Sequence, residues 1–232
     1  MAQRNYYLVS ALPSLGDLGA APPMSPADLR EHVAEHRPPR TLVEAILLGD
    51  DLVQREAVLA GEIEDVAPAV LTPAQVRDEE PLPACLAMDE EAAAPRVAAD
   101  TLWAAYFRHA AAVAQHEGSS FLAAWVAHEV ALRNALAAAR AKVLGLEAAD
   151  YVVTPEVGSK DDDFGPLLAE WAAAGNPLEG LRVLDRARWQ WLTAHEAWFS
   201  FADDELAAYA AKLMLLARWH RLSEGTQPYS AT

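Results

Sequence analysis

Hydrophobic positions of helical period dominate the second half of the chain. Apolar residues recur there at intervals of three and four residues, which is the spacing of an amphipathic helix. The pattern predicts one helix over residues 98–116 and a long one over 120–144, which Gly145 ends. Shorter helices are expected around 165–174 and 178–199.

The final predicted helix differs from these, because it is apolar on nearly every side. It covers residues 204–223, and its centre is the uninterrupted apolar run 213–217. The segment from Ser200 to Asp203 resembles a capping box at its start. A helix without a polar face belongs in the interior of a bundle.

The N-terminal part gives shorter and weaker signals. Residues 5–12 predict either a short strand or a short buried helix, since periodicity cannot separate the two at this length. A serine cap predicts a helix that starts at Pro26 and ends near Arg37. An apolar stretch covers 41–48, and the proline-interrupted segment 61–95 is expected to be irregular.

Proline and tryptophan divide the chain unevenly. Most of the 15 prolines lie at or before Pro95, and all seven tryptophans lie after it. We therefore expect a proline-rich, acidic N-terminal part with short helices (1–95) and a Trp-rich helical bundle (96–232) that holds the main core. The predicted fold class is mostly α, with at most short strands near the N-terminus.

Charge and length then exclude several classes of function. The chain has 34 acidic and 18 basic residues, a net charge of −16, which opposes binding to nucleic acid and insertion into anionic lipid. We interpret the acidic runs 78–80 and 89–91 as solvated loop, with a docking surface for a basic partner as the alternative. The lone Cys85 cannot form an intramolecular disulfide. No signal peptide or membrane span is recognised, so a cytoplasmic location is expected.

No catalytic or metal-binding motif is found. His-Glu pairs occur at 128–129 and 195–196, but the second histidine of a zincin is missing at 132 and at 199. No Glu-x-x-His pair of a di-iron bundle and no nucleophile elbow is present. We therefore expect no enzyme activity, no cofactor and no metal.

The long helix nevertheless carries charges within its apolar stripe. Glu129, Arg133 and Arg140 lie in or beside the stripe, and the final helix carries Lys212 and Arg218 within its apolar body. The stripe consists of Phe121, Trp125, Leu132, Leu136 and Val143. The candidate partners across a helix interface are Asp185, Glu196, Asp203, Lys212 and Arg218. Charges near a core need partners, so an internal salt-bridge network, a solvent-facing edge and a ligand pocket are all open.

Aromatic residues also have two interpretations. Trp189, Trp191 and Trp198 lie close to Phe199 and Phe201 in the chain. Together with Trp125 and Trp219, they are candidates either for the core or for an interface, because tryptophan often anchors protein partners.

Three segments of the chain carry a resemblance to a known family. They are residues 6–13 (YYLVSALP), residues 121–145 with Leu132-Arg133-Asn134 at their centre, and residues 184–219 with Leu184-Asp185, Arg188-Trp189 and Lys212-Leu213. The chain resembles a family of bacterial proteins of unassigned domain type. Its members are encoded beside genes for V-type (archaeal-type) rotary ATPases, in the position expected for the central-stalk connector of that complex.

The resemblance implies a non-catalytic component of ion transport. The connector of these ATPases is an all-helical protein of the central stalk, so the implied partners are the central shaft and the membrane rotor ring. Protein partners would then hold the chain at the inner membrane. An assembly factor of the ATPase is one alternative, and a helical interaction protein unrelated to ATPases is another.

The residues also allow a ligand-binding protein or enzyme with a charged pocket near Glu129, Arg133 and Lys212. The interior of the bundle separates this possibility from the connector. A packed interior would favour the connector, whereas a cavity lined by these charges would favour the ligand-binding protein.

Overall fold

The computed structural model describes residues 5–87, 98–196 and 198–224. All regular structure in these ranges is helical, which confirms the prediction of a mostly α multi-helix bundle. The helices are α1 (Tyr6–Ser10), α2 (Pro26–His32), α3 (Pro39–Leu59), α4 (Pro73–Val76), α5 (Ala98–Glu117), α6 (Ser120–Leu144), α7 (Gly165–Ala172), α8 (Pro177–His195) and α9 (Asp203–Glu224). Short 3₁₀ turns cover Ala84–Leu86 and Ala148–Tyr151. The opening segment is therefore a short helix and not a strand.

Helix α9 lies at the centre of the bundle. Every residue from 206 to 217 is buried, and α9 packs against α2, α3, α6 and α8. An apolar surface on all sides requires neighbours on all sides, so the pattern predicted this position correctly.

Helix α3 brings the N-terminal third of the chain into the same core. Leu42, Ile46 and Leu52 are buried in one cluster with residues of α5, α6 and α9. The core therefore does not begin at residue 96, as the tryptophan distribution suggested, because leucine and isoleucine fill its N-terminal share. The boundary at 95/96 and the acidic run 89–91 lie outside the described residues, so both stay predictions.

Local signals in the sequence mark several helix ends correctly, but α2 ends at His32 and not near Arg37 as predicted. Ser25 and Asp28 form a reciprocal capping box at the start of α2, and Gly145 ends α6 in the left-handed conformation. The expected box between Ser200 and Asp203 is wrong. Glu205 instead accepts the backbone N–H of Phe201 at 2.6 Å, because its side chain reaches back across the first turn of α9.

The stripe of α6 is buried over most of its length. Leu132 and Leu136 pack with Leu184 of α8 and with Trp171 of α7 in a second, smaller cluster. Val143, which the pattern placed in the stripe, is 86% exposed, because no other part of the protein covers the last turn of α6, where residues 142–147 are all exposed. Within the described ranges, no helix is long and apolar enough to cross a membrane.

Candidate functional site

Acidic and basic side chains alternate across the interface between α6 and α8. Arg188 of α8 donates to both carboxylate oxygens of Glu129 on α6, at 2.8 and 3.1 Å. Its remaining terminal nitrogen donates to Asp185, one turn earlier on α8, at 3.1 Å. Asp185 is fully buried, so this guanidinium compensates two carboxylates that water reaches poorly.

The alternation continues from α8 through α9 to α3. Arg218 of α9 lies 3.8 Å from Asp185 and donates to Asp50 of α3 at 3.1 Å. Arg221, one turn further along α9, donates to the other oxygen of Asp50 at 2.6 Å. Four helices are thus tied together by one continuous set of paired charges. We name Glu129, Arg188, Asp185, Arg218, Asp50 and Arg221 the charge chain.

Pairing outweighs burial in setting the pKa of two carboxyl groups of the charge chain, Asp50 and Glu129. Burial alone would raise the pKa of Asp50, but the guanidinium groups of Arg218 and Arg221 hold that pKa below its ordinary value. Burial likewise acts to raise the pKa of Glu129, and Arg188 overcomes it so that the pKa falls. Both carboxyl groups are therefore ionised at neutral pH.

The sequence found only part of this charge chain. Glu129, Asp185 and Arg218 were candidates and are joined as an internal network, whereas Arg188, Asp50 and Arg221 were missed. A signal for Arg188 existed, because it lies four residues after Leu184 and four before Leu192, both buried. Asp50 interrupts an apolar run in the same way.

Arg133 and Arg140 lie outside the charge chain. Arg133 meets none of the candidate partners that the sequence suggested, and it does not pair with Glu129, one turn earlier on α6, because Arg188 occupies that carboxylate. Arg133 instead donates to Asp100 of α5 at 3.1 Å, and its guanidinium lies 4.7 Å from the centre of the Trp103 ring. The exposed Arg140 makes no ion pair with another described residue. Its guanidinium lies 5.3 Å from the centre of a tryptophan ring, that of Trp171.

The other predicted network residues have separate structural roles. Asn134 donates to the carbonyl of Val153 at 2.9 Å and accepts its N–H at 2.8 Å, which fixes the segment after α6. Lys212 is buried and pairs with Glu196, one of its candidate partners. Asp203 accepts from Asn5 at 2.7 Å and is not part of the charge chain, because it lies at the end of α9 that contacts the N-terminus.

The tryptophans divide between core and surface. Trp125 is buried, and its ring centre lies 5.5 Å from that of the half-buried Trp191. Trp189 and Trp219 are also half-buried, and the Lys212 amine lies 4.9 Å above the Trp189 ring. Trp198 is 50% exposed. The core interpretation therefore holds for Trp125 and the interface interpretation stays open for Trp198.

A cavity of about 580 Å³ opens between α5 and α6 on one side and α3, α8 and α9 on the other. Glu129, Arg133 and Arg140 line it, together with Arg188 and Arg218. Lys212 does not, because it points toward Glu196 and away from the cavity. The bundle interior is thus not fully packed, and the charges of the long helix face the open volume.

Tyr106 of α5 forms part of the inner wall of this cavity. Burial, reinforced by the charge of Glu129, raises the pKa of its hydroxyl above the ordinary value. That hydroxyl makes no hydrogen bond to another described residue. A Cβ atom at Gly49 would lie 2.7 Å from it, so the glycine of α3 leaves the space that the tyrosine ring occupies.

The described residues include no group of three His, Cys, Asp or Glu side chains placed to hold a metal ion. His128 has a carboxylate partner, Asp162, at 3.1 Å, but the other neighbours of its ring are aromatic. Burial lowers the pKa of His128, so a neutral imidazole is favoured at neutral pH.

One protein family matches a part of the chain that includes α5 and α6. The profile of Protein of unknown function (DUF2764) matches residues 82–161. This range contains Glu129, Arg133, Asn134 and Arg140, but it ends before α8 and α9. No curated protein and no solved structure matches the chain.

Proposed function

We propose that the protein is a non-catalytic component associated with a V-type rotary ATPase, in the role of the connector of the central stalk. It would join the rotating shaft to the membrane rotor ring and so take part in ion transport. Protein partners would hold it at the inner membrane. The resemblance of its three sequence segments motivates this proposal, and one structural observation supports it.

That observation is a pair of exposed apolar surfaces at opposite ends of α6. We name Tyr6, Tyr7, Trp198, Phe199 and the half-buried Phe201 the aromatic end, and Val143, Leu144 and Leu146 the aliphatic end. The Asp204 carboxylate at the start of α9 accepts from Ser120 at 2.9 Å, which places the aromatic end beside the start of α6. With 25 residues, α6 separates the two surfaces by about 37 Å.

The aromatic end is held in a fixed and unfavourable backbone conformation. Phe199 and Phe201 have positive φ angles of 60° and 52°, and Glu205 accepts both of their backbone N–H groups. Phe199 is 82% exposed and Tyr7 86% exposed. Such strain costs about 1–3 kcal/mol per residue, and a rigid exposed aromatic group suits the anchor of a protein partner.

Affinity purification from native membranes tests the proposal. The wild-type protein should retain V-type ATPase subunits. Phe199→Ser and Val143→Ser should each lose a different subset of them, because the two ends contact different partners. Leu59→Ser is the matched control, since Leu59 is 54% exposed but belongs to neither end. Absence of ATPase subunits from the wild-type eluate contradicts the proposal. If the protein retains ATPase subunits only before the complex is assembled, the result supports its role as an assembly factor.

A second candidate function is small-ligand binding, and the cavity favours it. A connector needs no internal volume, whereas a volume of about 580 Å³ lies within the range of ligand sites. Two of the three residues that the sequence suggested for a charged pocket, Glu129 and Arg133, line it. None of the residues of the aromatic end lines the cavity, whereas Leu144 and Leu146 of the aliphatic end do. A protein partner at the aliphatic end would therefore lie beside the cavity opening.

A further inference from the structure

We propose that the cavity binds a small amphipathic anion, with its apolar body along the cavity wall and a carboxylate or phosphate group held by Arg140 and Arg133. This inference rests on the second candidate function and not on the association with an ATPase. Three features of the cavity carry it.

The first feature is the number of arginine donors that remain available. The N–H groups of Arg188 and Arg218 are directed at the carboxylates of the charge chain. Arg133 makes a single hydrogen bond, to Asp100, and Arg140 makes no ion pair with a described residue. Guanidinium groups bind carboxylate and phosphate through paired hydrogen bonds, so these two side chains can accept an anionic partner.

The second feature is the sign and position of the charges. The cavity wall contains four arginines and three acidic residues, in a protein of net charge −16. Because Asp185 and Asp50 pair with Arg188 and Arg218 from outside the wall, the cations available to a ligand are Arg133 and Arg140. Arg133 and Arg140 are two turns apart on one face of α6, and Leu136 and Ala137 lie between them. Leu144, beside Arg140 in the wall, is 68% exposed, so this side of the cavity is its opening. An anion there would meet donors next to apolar groups, where charge interactions are strengthened.

The third feature is the apolar interior. Trp103, Phe107, Leu184 and Met214 line the volume, which suits a hydrocarbon or ring body. Deeper in the cavity, the Tyr106 hydroxyl has no hydrogen-bond partner among the described residues. The interior therefore offers apolar contact and one polar group, while the opening offers cationic donors.

Binding of matched probes tests the class of ligand. The wild-type protein is titrated with dodecanoate, dodecyl phosphate, dodecan-1-ol and dodecyltrimethylammonium, each below its micelle concentration. Calorimetry and tryptophan fluorescence report binding, because Trp103 and Trp125 lie in the wall. We expect at least one anion to bind roughly tenfold or more tightly than the alcohol, as for a charge-assisted hydrogen bond, and the cation not to bind. The ratio of the two anions identifies the preferred head group.

Variants then locate the site. Arg140→Gln should weaken binding of the preferred anion roughly tenfold, since the charge-assisted contact is lost. The affinity for the alcohol should stay the same, because the alcohol does not make that contact. Arg186→Gln is the control, because Arg186 pairs with the exposed Glu170 and does not line the cavity. Ala137→Phe should weaken the binding of every probe, because the larger side chain fills part of the cavity.

Equal affinity of the wild-type protein for anion and alcohol contradicts the proposal that the ligand is an anion. An unchanged affinity of Arg140→Gln for the anion contradicts it as well. In both cases the cavity is still a ligand site. Failure of every probe to bind overturns the ligand site as well. Neither outcome affects retention of ATPase subunits, which is measured separately.

Discussion

Two groups of arginines around α6 occupy different environments, although all line the same cavity. Arg188 and Arg218 are mostly buried, and each lies between two carboxylates. Arg133 has one carboxylate partner, and Arg140 is exposed with none among the described residues. The first group holds helices together, whereas the second retains hydrogen-bonding capacity for a ligand. The number of partners, and not the position in an apolar stripe, separates the two roles.

The largest expected effect follows from breaking the charge chain. Arg188→Ala should lower the free energy of unfolding by about 3–5 kcal/mol, because it leaves the carboxylate of Glu129 without its partner. Glu129→Ala should cost less, because Arg188 keeps its contact with Asp185. The double variant should cost less than the sum, since it removes both charges. Urea denaturation measures all three. Arg186→Ala, in an exposed pair with Glu170, is the control and should cost about 0–1 kcal/mol. Additive effects at Glu129 and Arg188 would show that the two side chains are not coupled.

The next largest effect is the pH dependence of stability, which should differ between Asp50 and Asp51 on α3. Asp50 contacts two guanidinium groups, while Asp51 accepts only backbone N–H groups, from Ala69, Val70 and Leu71 at 2.7–2.8 Å. Burial outweighs these bonds and raises the pKa of Asp51 to about 6. The contribution of Asp51 to stability is then complete below about pH 4 and lost as pH rises through 6, by about 3 kcal/mol. Asp50 has a lowered pKa, so its contribution to stability has the opposite pH dependence. That contribution is lost as the pH falls below the ordinary pKa of an aspartate.

Carbon-13 NMR titration of the two carboxyl groups checks the assignment, and denaturation between pH 4 and 7 checks the linkage. Asp51→Asn should remove the loss of stability between pH 4 and 6. If Asp51 titrates below pH 4, the three backbone donors outweigh burial and the sign of its contribution reverses.

Arg133→Ala gives a smaller effect than loss of Arg188. Its side chain is 30% exposed and its one carboxylate partner, Asp100, is 15% exposed, so the expected cost is about 1 kcal/mol. The ring of Trp103 also loses its cation, which tryptophan fluorescence should detect. A cost equal to that of Arg188→Ala would remove the distinction between the two groups of arginines.

Arg140→Ala should have the smallest effect on folding. An exposed side chain without an ion pair contributes little, so the free energy of unfolding should change by less than about 0.5 kcal/mol. Thermal denaturation of the variant beside the wild type measures this. A large loss would mean that the contact with Trp171 stabilises the fold, and Arg140 would then belong with the structural arginines.

Helical periodicity and cap residues determined the secondary structure, because both act within a few residues of the chain. Ser25, Pro26 and Gly145 mark helix ends where the structure has them, and the apolar run 213–217 identified a central helix. The failures have local causes as well. Val143 continues the stripe in the sequence, but residues 142–147 are all exposed, so nothing covers the stripe there.

The sequence alone also indicated that Glu129, Arg133, Arg140, Lys212 and Arg218 needed partners, since a charge within an apolar helical face cannot stay unpaired at low cost. Arg140 is the exception, because it is exposed to solvent and makes no ion pair with a described residue. Only the tertiary structure decided which partners these are. Glu129 pairs with Arg188 of α8 and not with Arg133 of its own helix. Arg218 pairs with Asp50, which belongs to the predicted N-terminal part of the chain. Pairing depends on which faces meet when helices far apart in the chain pack together, and periodicity carries no information about that. The cavity has the same origin, because its volume is what remains between five helices whose side chains do not fill the space they enclose.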